Sequence, residues 1–99
     1  MSNYVYLLVS TSKRKSISYV GYTKNLKKRL SLHNSSKGAK FTKGKKWLVI
    51  YKKKYLDKST ALKDEYKLKK DYKLRNKIKN SFINKSKKTY LLFSLIKKV

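Results

Sequence analysis

Hydrophobic positions fall into short blocks separated by lysine-rich polar stretches. Tyr4 to Ser10 (YVYLLVS) is β-branched and aromatic, which predicts a buried strand. Thr11 to Ser16 reads as a polar turn. Ile17 to Thr23 (ISYVGYT) predicts a second strand, hairpin-paired with the first. In Lys24 to Asn34, Leu26, Leu30 and His33 recur at helical spacing, so an amphipathic helix is expected there with Thr23 as its N-cap. Ser35 to Lys46 reads as a basic loop holding Gly38 and Gly44. Trp47 to Tyr55 opens apolar and runs into lysines, a third strand. Asp57 to Tyr72 predicts a second helix, capped by Asp57 or Ser59, with Ala61, Glu65, Leu68 and Tyr72 on one face. Leu74 to Phe82 reads as a third, more basic helix. Tyr90 to Leu95 is apolar again and fits either a strand or a helix covering the sheet.

The expected class is therefore α/β of the α+β kind, a small three-stranded antiparallel sheet flanked by helices in the order β-β-α-β-α-α. Ninety-nine residues suit one domain with a single core. The expected division is a domain over residues 1–84 and a basic and apolar C-terminal extension, 85–99, packed on it.

Charge changes the picture more than composition does. Lysine plus arginine number 29 against 4 acids, a net charge of +25. Such a field draws in polyanions over a Debye length of about 8–10 Å, and nucleic acid is the first partner it suggests. Only Arg14, Arg29 and Arg75 are arginines, and the chain is rich in Asn, Ile and Tyr. Part of the lysine excess thus reads as AT-rich codon drift on a solvated surface. No cysteine is present, which excludes disulfides and thiolate metal sites. The longest apolar runs, Tyr4 to Val9 and Tyr90 to Phe93, are too short to cross a bilayer, and no signal-peptide layout opens the chain, so no membrane partner is expected.

Little chemistry survives elimination. No G-x-S-x-G elbow, P-loop or G-x-G-x-x-G occurs, and the scarce acids argue against paired-carboxylate catalysis. Glu65 is the only glutamate, and its helix face turns it inward. A carboxylate there needs compensation, either a lysine salt bridge or a hard divalent cation. Arg29 and His33 are four apart and share a helix face. Arg29 is either a solvated residue or a planar fork for phosphate, and His33 either a packed, hydrogen-bonded imidazole or a reactive one. Tyr4 and Tyr6 alternate onto one strand face, as core aromatics or as phenols available for proton transfer.

Tyr4-Val5-Tyr6, Tyr19-Val20-Gly21, Arg29, His33 and Glu65, in that order, resemble the GIY-YIG nuclease superfamily. Tyr19 to Thr23 followed by Asn25-Leu26, Arg29-Leu30 and His33-Asn34 is similar to its small stand-alone and junction-cutting branches. So is Lys37 to Thr42 leading to Trp47. The departures are Tyr4 for the first Gly and Val for Ile in both halves. The resemblance implies that Tyr19 is the general base or positions the attacking water, with Tyr6 hydrogen-bonded in the same cluster. It makes Arg29 the phosphate clamp, His33 an auxiliary acid/base or phosphate contact, and Glu65 the ligand of a single Mg²⁺ or Mn²⁺. Gly21 would admit a close backbone approach. Gly21, Lys24, Asn34, Lys40 and Lys43 are the expected substrate contacts.

The implied activity is a divalent-metal-dependent DNA endonuclease, with branched or duplex DNA as partner and a structure-specific role in repair or recombination. A protein partner or homo-oligomer would supply specificity. The implied place is the cytoplasm, at a bacterial or viral nucleoid, or the nucleus of a eukaryote. The rivals are a non-catalytic basic nucleic-acid-binding domain and a small ribosome-binding protein. Charge alone yields one expectation. Log K for duplex DNA falls with log salt by about 0.9 per neutralised phosphate, the loop from Lys37 to Lys46 and the region of Lys77 and Lys79 making contacts. A fluorescence-anisotropy salt titration checks it, and a slope near zero would reduce the lysine excess to codon drift.

Overall fold

The first apolar block becomes the middle strand, β1 (Asn3–Ser10), and is buried from Val5 to Ser10. The computed structural model describes the backbone of residues 2–10 and 17–97, and the side chains of these except 83 and 86–97. The expected turn from Thr11 to Ser16 lies outside the described residues. Strand β2 (Ile17–Thr23) pairs antiparallel with β1, placing Leu8 opposite Tyr19 and Tyr6 opposite Gly21. Strand β3 (Leu48–Tyr55) pairs antiparallel with the other edge of β1, so the sheet order is β2-β1-β3. Between Leu7 and Leu8 the β3 register jumps from Tyr51 to Val49, leaving Ile50 as a bulge. Lys52, Lys53 and Lys54 are exposed on this edge strand, where charge disfavours pairing with another chain.

Alternation along β1 gives the sheet two apolar faces, and each recruits a helix. Tyr6 and Leu8 pack with Trp47 and with Leu26 and Leu30 of helix α1 (Leu26–Asn34). Val5 and Leu7 pack on the opposite face with Val20 and with Ala61 and Leu68 of helix α2 (Lys58–Lys70). The N-cap of α1 is Asn25, not Thr23 as the sequence suggests. Asn25 Oδ1 accepts from the Lys28 amide at 3.1 Å, and Thr23 Oγ1 accepts from the Asn25 amide at 3.1 Å, one step earlier in the turn. Asp57 caps α2, accepting from the Thr60 amide at 2.8 Å and the Thr60 hydroxyl at 2.9 Å; these bonds hold its carboxyl below its ordinary pKa.

Helix α2 stops at Asp71, short of the sequence expectation. The Asp71 carboxylate accepts from the Leu74 amide at 3.0 Å and so starts helix α3 (Tyr72–Lys97). Arg75 donates to the Leu68 carbonyl at 2.9 Å and to the Lys69 carbonyl, two of the carbonyls that the end of α2 leaves without helical partners. Tyr72 therefore begins a new helix and is 66% exposed, instead of extending the buried face of α2. Helix α3 packs on α2 and β3 through Ile78 and absorbs Tyr90 to Leu95, so the strand alternative for that block is set aside. The packing expected of residues 85–99 rests on side chains outside those described. Among the described residues no helix is long and apolar enough to cross a membrane.

The two-faced burial of β1 sets a stability expectation. Leu7, fully buried, loses about 2–5 kcal/mol on conversion to Ala. Leu56, 93% exposed, loses no more than about 0.5 kcal/mol. Urea unfolding of the two variants beside wild type measures both.

Candidate active site

Tyr6 and Tyr19 come from adjacent strands and project from the same sheet face, since Tyr6 is paired with Gly21 and Tyr19 with Leu8. Their ring centroids are 6.5 Å apart. The Tyr6 ring lies over Gly21. A Cβ at that position would sit 2.3 Å from both Cζ and Oη of Tyr6. Gly21 is needed for this close approach by Tyr6, whereas the sequence suggested an approach by substrate.

Helix α1 brings Arg29 and His33 onto this face one turn apart. His33 is fully buried, and its ring centroid is 5.9 Å from Tyr6 and 5.1 Å from Tyr19. Both imidazole nitrogens are engaged. Nε2 lies 2.9 Å from Tyr6 Oη, and Nδ1 lies 2.8 Å from Thr42 Oγ1. The loop reaches His33 because Gly38 has no side chain, and a Cβ there would be 2.5 Å from Nδ1. Burial pushes the Tyr6 hydroxyl from 10.0 up to about 12, outweighing the Arg29 guanidinium beside it, which pulls it down, so Tyr6 is a neutral phenol at ordinary pH. Burial lowers His33 below its usual 6.5, and the Arg29 charge lowers it further.

Around this cluster the structure gathers residues that sequence reasoning did not single out. A single 3₁₀ turn, Lys40–Thr42, carries Phe41 over Tyr19, with centroids 6.1 Å apart and planes at 21°. The Trp47 indole donates to the Thr42 carbonyl at 3.0 Å. Tyr19, Phe41, Lys69 and Arg75 line an open depression of about 240 Å³. The arginine count was the available signal for Arg75, and Phe41, Thr42 and Trp47 lay in a stretch that carried the family resemblance without being given a role; nothing in the spacing marked Lys69.

The remaining expected contacts separate. Asn34 spends both ends of its amide on Trp47: Oδ1 accepts from the backbone amide at 2.6 Å and Nδ2 donates to the carbonyl at 3.2 Å. It is thus built into the scaffold. Lys40 and Lys43 are exposed around the 3₁₀ turn. Lys24 is exposed beside a larger cleft of about 850 Å³, shared with Tyr4, Lys27, Leu30 and Lys52.

Glu65 lies on the side of α2 that carries Ala61 and Leu68, and its side chain is 14% exposed. Its negative charge is the smallest of the influences on the Tyr6 hydroxyl. Its Oε1 is ion-paired with Lys69 at 2.7 Å, the i,i+4 salt bridge that sequence reasoning weighed against a metal. Among the described residues no group of three or more His, Asp or Glu could cage an ion. One largely enclosed carboxylate suits a hard cation that keeps waters and takes phosphate oxygens as its other ligands. Lys69 is half exposed on a flexible stem, so its ammonium can leave the carboxylate to such an ion.

A sequence profile of the GIY-YIG catalytic domain matches residues 2–79. A UPF0213 protein of Oceanobacillus iheyensis is 44% identical over 67 residues, covering 67% of this chain and 74% of its own length. A UPF0213 protein of Staphylococcus haemolyticus is 41% identical over 51 residues, or 50% of this chain and 62% of its own. Another from Lactiplantibacillus plantarum is 47% identical over 51 residues, or 48% and 50%. No solved structure matches the chain significantly.

The two buried groups predict how stability depends on pH. Below about 6.5 the unfolded chain protonates His33 while the folded chain resists, so this contribution is lost as pH falls toward the lowered folded value. Above 10.0 the unfolded chain ionises Tyr6 while the folded chain holds its proton to about 12, so stability falls as pH rises across that window. Urea unfolding of wild type and of Tyr6→Phe and His33→Gln from pH 5 to pH 11 separates them. His33→Gln should flatten the acid limb, and Tyr6→Phe should shallow the alkaline limb, to which Tyr55, also raised by burial, contributes the rest.

Proposed function

The chain belongs to the GIY-YIG catalytic-domain family, and on that premise we propose that it is a divalent-metal-dependent endonuclease hydrolysing phosphodiester bonds in DNA. One observation carries the reading. Tyr6 and His33 are hydrogen-bonded with Tyr19 beside them, and the charges of Arg29 and Glu65 both reach the Tyr6 hydroxyl, although the five residues come from four separate elements. A core needs none of these groups to converge. A site that must hold a phosphate, move a proton and balance new negative charge needs all three functions close together.

In the proposed reaction a water oxygen bonds to phosphorus as the bond to the leaving sugar oxygen breaks. Tyr19, only partly buried, takes or orients the water proton, and the leaving oxygen takes a proton from solvent. Arg29 has five N–H donors, so one can hold Tyr6 while others grip phosphate oxygens. His33, enclosed behind Tyr6, acts on the site through the Tyr6 hydroxyl. Glu65 would hold one Mg²⁺ or Mn²⁺, which when bound supplies positive charge against the phosphate. Lys69 and Arg75 line the depression beside Tyr19 and extend the anion-attracting surface. The resemblance to junction-cutting branches extends the proposal to branched DNA in repair or recombination, with a partner or second copy refining the choice.

The rival reading, a basic binding domain without catalysis, is favoured by the Glu65–Lys69 ion pair, which needs no metal. Three variants decide. Glu65→Gln keeps shape and loses the charge that holds a cation. Arg29→Lys keeps charge and loses the fork, and Tyr19→Phe keeps the ring and loses the hydroxyl. Each should fold, bind DNA within a few-fold of wild type and cut poorly, Tyr19→Phe by at least about a hundredfold. Single-turnover nicking of branched and linear DNA with Mg²⁺ or Mn²⁺, beside thermal melts, provides the readout. A folded Glu65→Gln protein that cuts like wild type sinks the metal assignment. A Tyr19→Phe protein that does so moves the base elsewhere.

A further inference from the structure

We infer that Thr42 is a positioning residue that fixes the tautomer of His33 and, through it, the direction in which the Tyr6 hydroxyl points. The inference rests on the nuclease reading for its purpose and on geometry alone for its substance.

The chain of hydrogen bonds has one consistent direction. A backbone carbonyl only accepts, so the 2.9 Å bond from Thr42 Oγ1 to the Ala39 carbonyl uses the single hydroxyl proton of Thr42. Toward His33, 2.8 Å away, Thr42 Oγ1 has only lone pairs to offer, so Nδ1 must carry the hydrogen. With Nδ1 protonated and the ring neutral, Nε2 is a bare acceptor, and the 2.9 Å bond to Tyr6 is a donation by the phenol. The sequence of donors is Tyr6, His33, Thr42, ending on the Ala39 carbonyl, with the Arg29 guanidinium, which can only donate, beside the Tyr6 end.

The alternative tautomer would reverse the centre of this chain. With hydrogen on Nε2, Tyr6 Oη would receive from His33, and its own proton would turn away from the imidazole. Tyr6 would then be a donor where the proposed chemistry develops a proton to be taken up. The Thr42 tautomer keeps the phenol proton turned inward on His33 and leaves the remaining lone-pair capacity of Oη for the reacting side. Thr42 is itself immobilised for this task. It is fully buried, its carbonyl is held by the Trp47 indole, and Gly38 lets the same loop close onto the imidazole. A threonine at the end of a 3₁₀ turn in a basic loop would otherwise be free to face water.

His33 is the chain's only histidine, so its imidazole nitrogens can be read without assignment ambiguity. The test is a long-range ¹H–¹⁵N correlation spectrum of the full-length ¹⁵N-labelled protein at neutral pH, for wild type, Thr42→Val and Thr42→Ser. Wild type and Thr42→Ser should show hydrogen on Nδ1. Thr42→Val keeps the shape and removes the acceptor, and should move hydrogen to Nε2. In DNA nicking, Thr42→Val should bind DNA within a few-fold of wild type. It should lower kcat by about tenfold or more, the mild end of what a mis-set imidazole tautomer costs. Thr42→Ser should restore kcat. Hydrogen on Nε2 in wild type overturns the inference, and this holds even if Thr42→Val does not fold. A Thr42→Val protein that keeps the wild-type tautomer, or changes tautomer and cuts at the wild-type rate, overturns it too. A wild-type protein that cuts no DNA overturns the nuclease reading instead, and the spectra still decide the role of Thr42.

Discussion

A hydroxyl placed in the middle of a strand buried on both faces has to be hydrogen-bonded, because leaving it unpaired costs on the order of 1–3 kcal/mol. Tyr6 is that hydroxyl, 1% exposed at the centre of the sheet. Its requirement organises what surrounds it. Gly21 clears the space for the ring, α1 supplies His33 and Arg29, and the loop before β3 supplies Thr42 so that His33 is itself satisfied. Trp47 then holds that loop from below, and Asn34 at the end of α1 holds the Trp47 backbone. Every described buried side-chain polar atom finds a partner. Polar burial of this kind is stabilising only when complete, so the cluster fixes where α1 and the loop sit on the sheet.

Charge works by a different rule, because nearly all of it lies outside this chain of bonds. The few arginines are instructive. Where a point charge suffices the sequence has lysine, and the two described arginines both use the planar guanidinium. Arg29 on α1 sets its guanidinium beside the Tyr6 hydroxyl, and Arg75 spans two carbonyls at the end of α2. Of the four acids, Asp57 and Asp71 cap helices, and Glu65 is ion-paired with Lys69 with its side chain largely enclosed. The net charge of +25 makes the folded chain repel itself, a cost that an incoming polyanion relieves.

Much of this was legible in the chain. Strand blocks Tyr4 to Ser10 and Ile17 to Thr23, and the shared face of Arg29 and His33, follow from periods of two and 3.6, which survive into the structure because each face meets an apolar neighbour. The helix termini were less legible. Thr23 and Asn25 are both good caps, and only the geometry of the turn after β2 chooses between them. At Asp71 one side chain starts a helix in the middle of a continuous helical pattern, so the placement of Tyr72 on the buried face failed. Nor does a pattern of apolar positions show a hydrogen bond between residues nine or thirteen apart, and the partners of Thr42 and Asn34 were therefore hidden.

The cluster also divides its labour by exposure. Tyr6, His33 and Thr42 are fully enclosed, so they can orient one another but meet solvent only through the group at the chain's outer end. Tyr19 and Arg29 are partly exposed, Lys69 is half exposed, and each retains access to an incoming molecule. An enclosed chain of hydrogen bonds exchanges protons with water slowly and keeps one direction; an exposed group can release a product but holds no fixed orientation alone. Joining the two through Arg29 and the Tyr6 hydroxyl gives the outer groups a set direction without burying them. Tyr6 joins scaffold and proposed chemistry, and the fixed geometry of its surroundings matters as much as the hydroxyl itself. A change that loosens Gly38, Thr42 or Trp47 acts on the outer groups without touching them.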